Sequence, residues 1–206
     1  MTSTFEVGKA TGSKIGAGAW RGSAFAKISG LVLALVLCCA FANTRRHCAE
    51  AAAVGEYQIK AVFLYNFAKF VEWPSSAFAD ANSPIVIAVL GEDPFGSSLE
   101  QVVKGKTVGG RRFSIKRFEK IRDLEPCHIL FISSSESGHL SKALDSIKGP
   151  NVLTVSEIER FAQRGGIIGF VVTDNKVGFE INLDAAKKVN LKLSSKLLKV
   201  ARVVRD

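Results

Sequence analysis

Residues that usually mark chemistry are scarce in this chain. Three histidines and four cysteines are spread over 206 residues, too few cysteines for a disulfide-dense mini-protein. No G-x-G-x-x-G follows an apolar run. Gly105-Lys106-Thr107 looks like the end of a phosphate loop, but Glu100 stands where its first glycine is required. Both nucleotide fingerprints are therefore absent. An H-E-x-x-H is missing, as is the G-x-S-x-G elbow of a Ser/His hydrolase. There is no internal repeat, low-complexity tract or charged linker. With 47% hydrophobic and 23% charged residues, the composition excludes a disordered or collagen-like chain and leaves ample apolar surface for a core.

Charge is unevenly placed. Lys plus Arg number 28 against 19 for Asp plus Glu, a net of +9. Residues 1–53 hold six of the basic residues and two of the acidic ones. A basic leader on a mildly basic remainder is a poor case for nucleic acid binding. Ile28–Ala42 is an apolar run of 15 residues, short of the roughly 18–20 that span a bilayer. Basic residues precede it and small ones follow, the pattern of an export signal. We therefore expect residues 1–53 to be a leader removed after Ala42, Ala51 or Ala53, with the later cuts favoured because Arg45 and Arg46 crowd the first. The mature chain, 54–206, would be exported, with no stable membrane insertion after cleavage. An uncleaved anchor is the alternative. Cys38 and Cys39 leave with any of these cuts, Cys48 stays only with the first, and Cys127 is always kept.

Residues 54–206 read as one domain. Tyr57–Trp73, closed by Pro74, has helical periodicity with an apolar arc so wide that cover on more than one side is expected, by a sheet and a second helix or by another chain. Apolar runs at 84–90 and 128–132 read as strands buried on both faces, and 152–155 as a third. A short helix is expected through Val103, and a hairpin or bulged edge pair around Gly109-Gly110. Further helices are expected at 135–147, 157–163, 184–189 and 194–204, with a hairpin at 167–181. The fold class is α/β: a mostly parallel central sheet with one antiparallel hairpin and helices on both faces.

Candidate chemistry is thin. Cys127 and His128 are adjacent, but on a strand they point to opposite faces, against a catalytic pair or a shared metal. Ser133–His139 and the pair Glu92 and Asp93 follow predicted strands, where open α/β sheets place ligand sites. A polar capping loop and an Asp-Pro turn explain them as well. The residues alone point to a non-enzymatic exported domain, and no metal site is expected.

The stretch Tyr57-Gln-Ile-Lys-Ala-Val-Phe-Leu-Tyr-Asn-Phe-Ala-Lys-Phe-Val-Glu-Trp-Pro74 resembles the opening of the YfiR-like periplasmic regulators. The resemblance continues in Val89–Gly96, Gly105-Lys106, Cys127–Ser133, Val152–Ser156, Gly165–Ile168, Phe179–Leu183 and Leu191–Leu198. It implies an often dimeric periplasmic repressor, without catalysis or a cofactor, that binds the periplasmic sensor domain of an inner-membrane diguanylate cyclase, lowering cyclic di-GMP signalling and biofilm formation. It also implies a cysteine at the position of Ala88, paired in relatives with the one at Cys127, a bridge that this chain lacks. The runner-up is a periplasmic small-ligand receptor or enzyme using the loops after Leu90 and Ile132.

For the partner surface the candidates are Lys60, Phe70, Trp73, Lys192, Lys196 and Lys199. Lys60, inside the apolar arc, must snorkel, pair with an acid or meet a partner, and snorkelling is the simplest. Trp73 is expected to be a partly exposed anchor whose truncation weakens inhibition. The three C-terminal lysines form a basic face for an acidic sensor domain or anionic headgroups, or a merely solvated one. Cys127 is expected to be a quiet, buried thiol.

Overall fold

The computed structural model describes residues 55–147 and 149–205. The expected leader, its cleavage points, Cys38, Cys39 and Cys48 lie outside the described residues. The chain opens with helix α1 (55–70), in which Ala61, Leu64, Phe67 and Ala68 are buried, the spacing of one apolar stripe. The helix stops short of Trp73. Val71–Glu72 is extended as β1 and pairs antiparallel with β8 (Lys192–Leu193), a contact more than a hundred residues away.

The other strands form one seven-stranded sheet. They are β2 (Ile85–Leu90), β3 (Phe113–Phe118), β4 (Ile129–Ile132), β5 (Leu153–Ser156), β6 (Ile168–Thr173), β7 (Lys176–Asn182) and β9 (Val203–Arg205). Their order across the sheet is β3-β2-β4-β5-β6-β7-β9, antiparallel only between β6 and β7. The two-residue turn Asp174-Asn175 joins β6 to β7 with both φ angles positive, matching the twist of the strands it connects.

Strand alternation divides the core into two layers. Ile87, Val89, Ile129, Phe131, Leu153 and Val155 face α1, with α2 (Ser98–Val103), α4 (Leu183–Lys188) and α5 (Ser195–Val200) contributing Leu99, Ala186 and Leu197. Ala88, Leu90, Leu130 and Ile132 face α3 (Leu140–Asp145) and Phe161. This is the α/β class expected, with helices on both faces.

Four local expectations fail for physical reasons. The sandwiched first helix has one bare flank, Ile59 at 48% and Val62 at 45% exposure, while Phe63 and Phe67 turn to Phe170 and Phe179 on the sheet. No hairpin grows from Gly109-Gly110: only Val108 and Arg111 pair, and β3 lies parallel to β2. Residues 157–163 are a run of turns, because Arg160 takes φ 58° and breaks the helical path. The last helix ends at Val200, after which the chain enters the sheet as β9.

Candidate functional site

The β1–β8 ribbon gathers several of the candidate residues. The amide of Ser194 donates to the carbonyl of Phe70 at 2.9 Å, and Glu72 faces Lys192 in the register. Phe70 and Trp73 are half-buried beside this ribbon. Lys192, Lys196 and Lys199 are all exposed, the last two one turn apart on α5.

Trp73 is anchored from within. Its indole N–H donates to the carbonyl of Asn151 at 2.9 Å, and its ring lies edge-on to His128. Phe78 stacks on His128 with centroids 4.5 Å apart, and the Arg111 guanidinium sits 3.7 Å from the centre of the Phe78 ring. Arg111 in turn donates to the carbonyls of Asp80 and Ser83, at 2.8 Å each. The layers seal the ends of the strands where β2, β4 and β5 begin.

His128 is buried and neutral there. Its Nδ1 accepts from the amide of Val86 at 3.0 Å, which leaves Nε2–H to donate to the carbonyl of Ala77 at 3.1 Å. Burial lowers its pKa, with Arg111 adding to the effect and the Ala77 hydrogen bond opposing it. An unfolded chain protonates this ring below about its ordinary value of 6.5. The stability carried by the neutral ring is therefore complete above that pH and is lost as pH falls below it. Thermal melts from pH 7.5 to pH 5 should show the wild type losing stability more steeply than His128→Gln. Parallel pH profiles would show that the ring does not titrate on unfolding.

Lys60 departs furthest from expectation. It neither snorkels nor faces outward: it is 2% exposed, with Nζ at 2.5 Å from carboxylate oxygens of both Glu56 and Glu157. Tyr57 donates to the same Glu157 at 3.0 Å and lies under the ammonium. This cluster ties the first turn of α1 to the loop that follows β5. Lys60 is thus removed from the exposed surface and becomes a structural anchor. The apolar arc around Lys60 signals that an acid is needed; nothing local points to Glu157.

Cys127 sits at the entrance to β4, partly buried against the layer that holds Phe118, Leu124 and Ile147. Burial pushes its thiol up to about 12, with Lys116 pulling weakly the other way. Iodoacetamide at pH 8 should label it at least about tenfold more slowly in the native than in the denatured protein, and reductant should leave stability unchanged. Position 88 offers Cys127 no bridge in this fold: Ala88 is level with Leu130, three residues further along the strand, roughly 10 Å away.

The loops of the runner-up reading are closed on each other. Ser135 Oγ accepts from the amide of Glu92 at 3.0 Å. A Cβ at Gly91, which has φ 88°, would fall 2.4 Å from that oxygen. Asp93 is held by Arg117 at 2.6 Å and caps the amide of Phe95. These serines and acids maintain loop structure, and a nucleophile with a base is not assembled. An open groove of about 780 Å³ nearby mixes Lys120, Arg122 and Lys142 with Glu119, Glu136 and Asp145. Among the described residues, no cluster of His, Cys, Asp and Glu is arranged to hold a metal, and no helix is long and apolar enough to cross a membrane.

A family model described as YfiR/HmsC-like matches residues 57–202. No curated protein matches the chain. Among solved structures, a conserved domain protein from Vibrio cholerae O1 biovar El Tor is similar at 13% identity and a TM-score of 0.41, covering 59% of this chain and 55% of that one. The ABC domain from Streptococcus pneumoniae, in complex with L-Trp, is similar at 11% identity and a TM-score of 0.43, covering 58% and 56%. The chain spans a little over half the length of both.

Proposed function

The chain belongs to the YfiR/HmsC-like family, and from that premise we propose that it is a periplasmic binding protein that inhibits a membrane-bound diguanylate cyclase by engaging the cyclase's periplasmic sensor domain. The family is one of periplasmic, non-catalytic regulators of diguanylate cyclases. The match over residues 57–202 carries the reading, and the self-closed loops after β2 and β4 agree with it. Inhibition lowers cyclic di-GMP and with it biofilm formation. The inhibitor acts as a homodimer.

For the contact surface, the proposal keeps Phe70, Trp73, Lys192, Lys196 and Lys199 and drops Lys60. Aromatic side chains supply buried area at an interface, and exposed lysines steer an acidic partner. The test is charge reversal of Lys196 and Lys199, whose exposed side chains make no hydrogen bond or ion pair among the described residues. Lys196→Glu combined with Lys199→Glu should raise cellular cyclic di-GMP towards the level of a gene deletion while the protein stays folded in the periplasm. Unchanged inhibition would remove α5 from the partner surface.

A further inference from the structure

We propose that the groove between the end of α2 and the start of β3 binds a phosphate group, carried either by a soluble phosphomonoester or by a lipid headgroup. The groove has a volume of about 580 Å³, within the range of small-molecule sites. Val103, Phe113 and Ile115 line it with apolar surface, and Lys104, Lys106 and Arg112 supply the charge. Gly105, at φ 69°, makes the tight turn that sets Lys104 and Lys106 on the same groove.

The charge balance points to an anion. None of Lys104, Lys106 and Arg112 is ion-paired among the described residues, and Lys106 has only the ring of Tyr65, 4.5 Å from its ammonium. Glu100 also lines the groove, but its carboxylate is held by Arg117 at 2.7 Å, and Arg117 is bound as well by Asp93. Four cations therefore stand against two carboxylates. The surplus of two matches a phosphomonoester dianion and exceeds what one carboxylate neutralises. The planar guanidinium of Arg112 suits two phosphate oxygens, while the lysines act as point charges. By contrast, the larger groove beside α3 has three acids against its three lysine and arginine side chains.

Recognition here runs through side chains. The amide of Lys106 is spent on the carbonyl of Val103 at 3.0 Å, so Gly105-Lys106-Thr107 offers no phosphate-loop cradle, in accord with the missing glycine. The apolar lining takes the organic group to which the phosphate is attached. This site is independent of the cyclase-binding reading.

Titration calorimetry with phenyl phosphate, and flotation with vesicles containing phosphatidic acid, a lipid phosphomonoester, against phosphatidylcholine vesicles, test the site in residues 54–206. Saturable phenyl phosphate binding that weakens with salt and falls roughly tenfold or more in Lys106→Gln and Arg112→Gln supports a soluble ligand. Flotation with the phosphatidic acid vesicles alone, lost in the same variants, supports a lipid headgroup. Lys142→Gln, in the other groove, should bind as the wild type does. Absence of both kinds of binding, or binding equal in the wild type and the groove variants, overturns the proposal. All three substituted side chains are exposed, and circular dichroism verifies that the variants fold.

Discussion

Lys60→Ala is expected to lower the unfolding free energy by about 3–5 kcal/mol, the loss typical when one partner of a buried ion pair is removed. The cost comes from what is left behind. Glu157 has only 12% of its side chain exposed, and without Lys60 its charge keeps only the Tyr57 hydroxyl as a partner among the described residues. Glu56, at 34% exposure, can turn to water and contributes less. Replacing both Lys60 and Glu157 with apolar residues of similar size should recover much of the loss, because the orphaned charge disappears together with its partner. Urea denaturation of the four chains reads the coupling directly. A loss below about 1 kcal/mol for Lys60→Ala would mean that water reaches Glu157.

Phe67→Ala should cost a similar amount, about 3–5 kcal/mol, by a different mechanism. Phe67 is fully buried at the centre of the face that α1 lays on the sheet, edge-on to Phe179 and stacked near Phe170 and Phe63. Truncation opens a cavity that three aromatic neighbours cannot collapse into without leaving their own positions. Against a total stability of about 5–15 kcal/mol, either substitution leaves a detectable unfolded fraction in mild urea. The midpoint should drop with little change in slope. Phe67→Leu should recover about half of the loss by refilling part of the volume.

These two residues also mark what was legible in the sequence. Continuous apolar runs identify β2, β4 and β5, because a strand covered on both faces has no polar side. Alternation around Asp174-Asn175 identifies the β6–β7 hairpin. The elements that escape are short and held by distant partners. β1 and β8 are two residues each and exist because Val71 meets Leu193 and Glu72 meets Lys192, a pairing without any local signal. β9 looks like the tail of a helix until β7 offers it an edge.

At the candidate surface, residue type was legible and placement was not. Lysines on α5 are exposed, as their polar periodicity implies. The indole of Trp73 is held by a carbonyl 78 residues away, so half of what looks like an interface anchor is also fold. Lys60 shows the same limit more sharply. An apolar arc interrupted by a charge announces a partner without saying whether it lies in this chain or another, and Glu157 is 97 residues away.

The proposed function is that this chain restrains cyclic di-GMP synthesis from the periplasmic side. Cellular cyclic di-GMP, measured by mass spectrometry in a strain deleted for the gene, tests it most directly. The level should rise on deletion, return to normal when the full 206-residue chain is supplied, and stay high when residues 54–206 are supplied without the proposed leader. A level that does not move on deletion, or that residues 54–206 alone restore, would contradict the proposed function.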